Sequence, residues 1–187
     1  MPTALDVAAY IIARKPDDLT TMKLQKLLYY AQAWSLAWDA APLFADPIRA
    51  WDRGPVVGAV FDTYRGHRRV YAALAGDAAA LSASERATVD AVLGFYGAID
   101  GDTLSELTHL ERPWREAFAR RVRPSPVIDH AALRAFYRPE AAPPKAFPEA
   151  FRRGVELVLS LSPEDLDALA DDAIEPVSAE EIVRWSA

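Results

Sequence analysis

The 187-residue sequence has no cysteine, so disulfides, thiolate nucleophiles and cysteine-ligated metals are excluded at once. No stretch approaches the roughly 18 consecutive apolar residues of a membrane-spanning helix. The N-terminus shows no basic region leading into an apolar segment, which argues against a signal peptide. Glycine patterns that cradle phosphate are missing, since neither G-x-x-x-x-G-K-[ST] nor G-x-G-x-x-G occurs. H-E-x-x-H is also absent, and the three histidines, His67, His109 and His130, lie far apart in the chain. The expectation is a soluble, cytoplasmic protein without membrane contact, cofactor, metal site or catalytic set.

Hydrophobic residues are plentiful at 51%, enough for a core and too many for global disorder. Charge is unevenly placed. Residues 1–139 carry 17 Lys or Arg against 16 Asp or Glu, whereas residues 140–187 carry 4 against 11. The acidic quarter repels a phosphate backbone and favours a basic protein surface. A solvated, acidic helix exterior accounts for the same pattern.

Helical spacing dominates the chain. Residues 4–14 place Leu5, Ala8, Ala9 and Ile12 on one stripe. Thr20 is suited to cap the next helix, 21–38, in which Leu24, Leu27, Leu28, Ala31, Trp34 and Trp38 recur. Lys23 and Lys26 sit elsewhere on the wheel, with Gln25 and Gln32 as polar variants. Tyr29 and Tyr30 widen the stripe, so this helix is expected at the centre of a bundle. Gly54-Pro55 predicts a helix start, with Val56, Val57, Val60, Phe61 and Tyr64 facing inward. Ser82 with Glu85, and Thr103 with Glu106, read as capping boxes. Pro113 opens a short helix with Trp114, Ala117 and Phe118 inward, and Asp129 caps one carrying Leu133, Phe136 and Tyr137.

Prolines 139, 143, 144 and 148 then mark a boundary. Helical signals follow at Phe151–Leu159, at Ser162 ahead of Leu166 and Leu169, and at Ser178 ahead of Ile182, Val183 and Trp185. Strand signals are few. The predicted fold is mainly α: a single compact helical domain over 1–138, with at most a minor hairpin near 48–51 and 69–72. Residues 139–187 are expected to form a Pro-rich strap and an acidic helical extension that packs on the body or on a partner.

Candidate polar chemistry is thin. His109 and Glu111, two residues apart, diverge on a regular helix but converge if they sit at its end. A structural network, a partner contact and acid–base or metal chemistry all remain open for the pair. Ser105, four residues before His109, is explained by capping or backbone bonding. Arg112, Arg115, Arg120, Arg121 and Arg123 form the most basic stretch. It suits nucleic acid, ion pairing with the acidic quarter, or an acidic protein. Trp34, Trp38 and Trp51 are read either as core or as exposed anchors for a partner.

Three segments in order carry a resemblance: MKLQKLLYYAQAWSLAW at 22–38, PLFADPIRAWDRGPVVGAVFDTY at 42–64, and LSELTHLERPWREA at 104–117. Together they resemble the Panacea domain family. The matching positions are Lys23, Leu24, Gln25, Leu27, Tyr29, Tyr30 and Trp34, then Trp51, Gly54, Pro55 and Val56, then Leu107, Thr108, His109, Glu111, Pro113 and Trp114. The resemblance implies a mainly helical bacterial or phage antitoxin that neutralises a cognate toxin protein by direct contact. Its SocA type implies a proteolytic adaptor that tethers the toxin to the ClpX unfoldase of the ClpXP protease. No catalytic set accompanies the family, so the matched residues are expected to define the fold or to bind a partner. The alternative reading is a DNA-binding transcriptional regulator of its own operon.

Overall fold

A helix whose apolar side chains spread around its circumference must be covered on every side, and residues 21–38 meet that description. In the computed structural model, which describes residues 1–14, 18–120, 125–138, 147, 149–162 and 164–165, this segment is the central element. Following α1 (Ala4–Ala13), α2 (Thr21–Trp38) is packed by α1, by α4 (Ala83–Tyr96), α5 (Gly101–Leu110) and α7 (His130–Tyr137), and by a β-hairpin. Thr20 caps α2 as expected, accepting from the Lys23 N–H at 3.1 Å. From Lys23 to Leu36 every residue of α2 is buried. Lys23 and Lys26, off the leucine stripe, are each only 1% exposed, because α5 and the hairpin close over that side.

The hairpin pairs β1 (Ile48–Trp51) with β2 (Gly54–Val57) in antiparallel register, Trp51 opposite Gly54 and Ile48 opposite Val57. This corrects two expectations. Gly54-Pro55 does not open a helix: its strand extends to Val57, and α3 spans Gly58–Thr63. Gly54 has φ +93°, a conformation suited to leaving a two-residue turn and not to a helix start. The hairpin's second strand is therefore 54–57 and not 69–72, where Arg69 only bridges to Thr20. Val57, Val60 and Tyr64 still point inward as expected, while Phe61 is half-buried.

The Ser82–Glu85 capping box is present at α4. The Thr103–Glu106 box is not. Asp100 caps α5 instead, accepting from the N–H groups of Asp102 and Thr103, so the helix starts at Gly101. With Asp100 starting the helix three residues earlier, the Ser105 and Glu106 amides that a Thr103 cap would serve lie inside it. α6 (Arg112–Ala119) carries Pro113 in its first turn, and Asp129 caps α7. Leu133 and Tyr137 of α7 are buried. Beyond them, α8 (Glu149–Ser160) buries Val155 and Val158. Ser162 and Asp165 form the reciprocal bonds of a helix start.

Among the described residues the molecule thus has eight α-helices and one small hairpin, and is mainly α. No described helix is long and apolar enough to cross a membrane. The expectations made for Arg121 and Arg123, for the four prolines 139–148, for the Phe151 side chain and for residues 166–187 lie outside the described residues.

Candidate functional site

Two buried polar centres flank α2, and both are assembled from the segments singled out above. The first surrounds Glu111, at the joint where α5 ends and α6 begins. Tyr29 donates to Glu111 Oε2 at 2.8 Å and Tyr30 to Oε1 at 3.1 Å, and Tyr137 of α7 donates to Oε2 as well. Tyr96 stacks on Tyr30 with centroids 3.9 Å apart and accepts from Trp34 Nε1 at 3.3 Å. Burial pushes the Glu111 carboxyl up to about 7, opposed by the three phenolic donors. The same burial and the nearby carboxylate hold all four tyrosines well above their ordinary range, so they stay protonated.

The second centre clamps the hairpin to α2 and α5. Lys26 Nζ donates to the carbonyls of Arg53 at 2.5 Å and Pro55 at 3.4 Å. Ser105 Oγ donates to the same Arg53 carbonyl at 3.0 Å, and Trp114 Nε1 to that of Trp51 at 3.2 Å. Gln25 acts as a substitute strand neighbour: its oxygen accepts from the Val57 N–H at 2.8 Å and its amide donates to the Val57 carbonyl at 3.3 Å. Two turns further along α2, Gln32 does the same for the irregular chain at 43–44, accepting from Leu43 and Phe44 and donating to the Phe44 carbonyl. Burial lowers Lys26 to about 7, with the Arg53 charge adding to the effect. His109, lowered to about 4 by burial and by Lys26, packs on Trp114 with ring centroids 4.2 Å apart.

Gln25→Leu is expected to cost about 2 kcal/mol by leaving both backbone groups of buried Val57 unpaired. Gln25→Glu, which keeps the acceptor for the Val57 N–H, is expected to lose less. Urea unfolding of both variants checks the order, and equal losses would show that the acceptor kept by Gln25→Glu contributes little by itself.

Gln25, Trp51, Gly54, Pro55, His109 and Trp114 thus meet at the hairpin, and Tyr29, Tyr30, Trp34 and Glu111 meet at the tyrosine cluster. Pro113 is buried at the start of α6. Lys23 is buried where α2 passes Gly101, whose missing Cβ would lie 3.3 Å from the Lys23 Cβ. His109 and Glu111 are not brought together: one faces the hairpin centre and the other the tyrosines. Lys26, Gln32, Tyr96 and Tyr137 are the members that sequence reasoning left out. Helical spacing marks all four as inward or polar positions but says nothing of which carbonyl or carboxylate each meets. The basic stretch is committed in part to the protein itself. Arg112 pairs with Glu116 at 3.9 Å and Arg120 donates to the Val127 carbonyl at 3.3 Å.

Beside the hairpin lies a cavity of about 550 Å³, between the N-terminal half of α2, the hairpin, α3 and the loop after it, and α6. Trp51 and Phe61 meet edge-on in its wall at 4.9 Å. Among the described residues no group of three or more His, Asp or Glu side chains is placed to hold a metal ion.

A family model described as "Antitoxin SocA-like, Panacea domain" matches residues 24–115, from the first turn of α2 through the hairpin and α5 into α6. No curated protein matches the chain, and no solved structure does.

Proposed function

Since the chain belongs to the SocA-like Panacea domain family, whose membership supports a general antitoxin role, we propose that it neutralises one cognate toxin protein by direct contact and, as a proteolytic adaptor, presents that toxin to the ClpX unfoldase of ClpXP. The family match carries the reading. The burial of the matched residues refines it. Gln25, Tyr29, Tyr30, Trp34, Gly54, Pro55, Glu111, Pro113 and Trp114 are all buried, so in this reading they build the scaffold and leave partner contact to other residues. The reading gives the chain no catalytic step.

The folding unit is proposed to run over 1–138, wider than the matched span, because Tyr137 supplies a donor to Glu111 and α1 packs on α2. Residues 139–187, with their acidic balance, are proposed to supply one of the two surfaces that an adaptor needs, the body supplying the other.

Co-expression of the full chain with the product of its genomic neighbour tests the reading. A stable complex is expected, with loss of the neighbour protein that requires both this chain and ClpXP. A stable complex with unchanged turnover would replace delivery by occlusion. No complex, together with binding of its own promoter DNA at low salt, would replace the antitoxin by an operon regulator.

A further inference from the structure

We propose that the cavity beside the hairpin is the toxin-binding recess, taking a large apolar side chain of the toxin flanked by carboxylates; this rests on the antitoxin reading above. The volume, about 550 Å³, falls within the roughly 300–1,000 Å³ typical of sites that enclose a ligand group. Its walls are apolar and half-buried: Met22 on α2, Trp51 on β1, Phe61 on α3 and Phe118 on α6.

The polar groups at its floor make no demand on an occupant. Gln25 is engaged by both backbone groups of Val57, and Lys26 by the carbonyls of Arg53 and Pro55. An apolar group that enters therefore leaves these bonds between the hairpin and α2 intact.

The mouth has a different character. Arg53 and Arg65 stand there with side chains 77% and 70% exposed; Asp52 lines the mouth with them, and Asp102 and Asp62 pair with the two arginines from its edge. Arg65 lies over the Phe61 ring, 5.5 Å from its centroid, so one residue joins the cationic rim to the aromatic wall. The existing partner of Arg53 is loose, Asp102 at 3.8 Å and 84% exposed, whereas Arg65 is hydrogen-bonded to Asp62 at 2.5 Å, in a pair whose carboxylate is 66% exposed. Exposed pairs of this kind contribute little and exchange readily for a partner's carboxylates. An aromatic recess with two exposed arginines at its rim suits one inserted side chain that dominates an interface. The recess favours a protein segment over nucleic acid: a duplex offers phosphate on the outside and no apolar group to fill the walls, and Asp52 opposes it.

The test uses the full chain and the toxin obtained from the co-expression experiment. Arg53→Glu/Arg65→Glu is expected to weaken the toxin complex by about tenfold or more, mainly through slower association that depends on salt. Arg53→Lys/Arg65→Lys is expected to stay within about threefold, and Trp51→Ala to weaken the complex by about tenfold through faster dissociation. Both arginines are exposed, so melting temperature serves as the control for folding, with Arg53→Gln/Arg65→Gln as the milder pair. A toxin that binds all of these variants as tightly as the wild type overturns the recess and leaves the antitoxin reading standing. Absence of any toxin complex with the wild type overturns the antitoxin reading, and the assignment of the recess to a toxin falls with it. Charge reversal that abolishes binding to duplex DNA while sparing the toxin overturns the proposal in favour of a nucleic-acid surface.

Discussion

Glu111→Ala is expected to lower the unfolding free energy by roughly 3–5 kcal/mol, enough to leave a domain of ordinary stability largely unfolded. Three buried phenols converge on that carboxylate, and alanine leaves each without an acceptor while opening a void. Glu111→Gln tests the charge separately from the hydrogen bonds. Burial raises the folded carboxyl from 4.5 to about 7, so between these values the folded state holds a proton that the unfolded state has released. Stability contributed by the group therefore falls as pH rises from about 4.5 to about 7. His109, lowered from 6.5 to about 4, works in the opposite sense, stability rising with pH across that window. The two largely offset each other in the wild type. Lys26, lowered from 10.5 to about 7, adds stability as pH rises from about 7 to 10.5.

In Glu111→Gln only the falling contribution disappears. Stability relative to wild type is expected to grow by on the order of 3 kcal/mol between pH 4.5 and pH 7.5. Urea midpoints of the two proteins at those pH values measure the difference directly. A constant difference would mean that Glu111 titrates in the folded protein as it does in water.

Gly54→Ala is expected to cost roughly 3 kcal/mol, for two separable reasons. The backbone sits at φ +93°, and the new Cβ would lie 2.4 Å from Lys26 Nζ and 2.9 Å from Thr108 Oγ1. The lysine tip is flexible in principle. Here it is held by the carbonyls of Arg53 and Pro55, and moving it breaks both bonds, leaving the Arg53 carbonyl to Ser105 alone. In a Lys26→Ala background the same glycine substitution is expected to keep the backbone cost and the Thr108 contact but to lose the part that comes from displacing Lys26, about 1 kcal/mol or more. An equal cost in both backgrounds, measured by chemical denaturation, would place the whole effect in the backbone and the Thr108 contact.

The sequence was most informative where one period governed a long segment. The 21–38 helix, with its Thr20 cap and its coverage on several sides, followed from spacing alone. The Ser82 and Asp129 caps were equally readable, because both partners of such a cap lie within four residues. The hairpin was misplaced because Pro55 suits a helix start and an edge strand equally well, and only the positive φ of Gly54, invisible in one sequence, separates the two. Asp100 displaced Thr103 as a cap for a related reason: either can serve, and packing of Gly101 against Thr20 and Lys23 fixes where the helix begins. At the candidate site, the resemblance named the residues but not their partners. His109 and Glu111 sit side by side in the sequence and serve different centres, while Glu111 depends on Tyr137, 26 positions on.

The hairpin also limits how any partner can attach. A two-stranded ribbon ordinarily offers two free margins on which a third strand, native or foreign, can grow. Along the outer side of β1, Ala50 donates to the Pro126 carbonyl and the Ile48 carbonyl accepts from Ile128. Along the outer side of β2, Pro55 has no N–H to offer, its carbonyl is taken by Lys26, and both backbone groups of Val57 are taken by Gln25. Neither margin is open to strand addition, so this ribbon resists cross-β aggregation, and any partner engaging it is met by side chains rather than by an extended backbone.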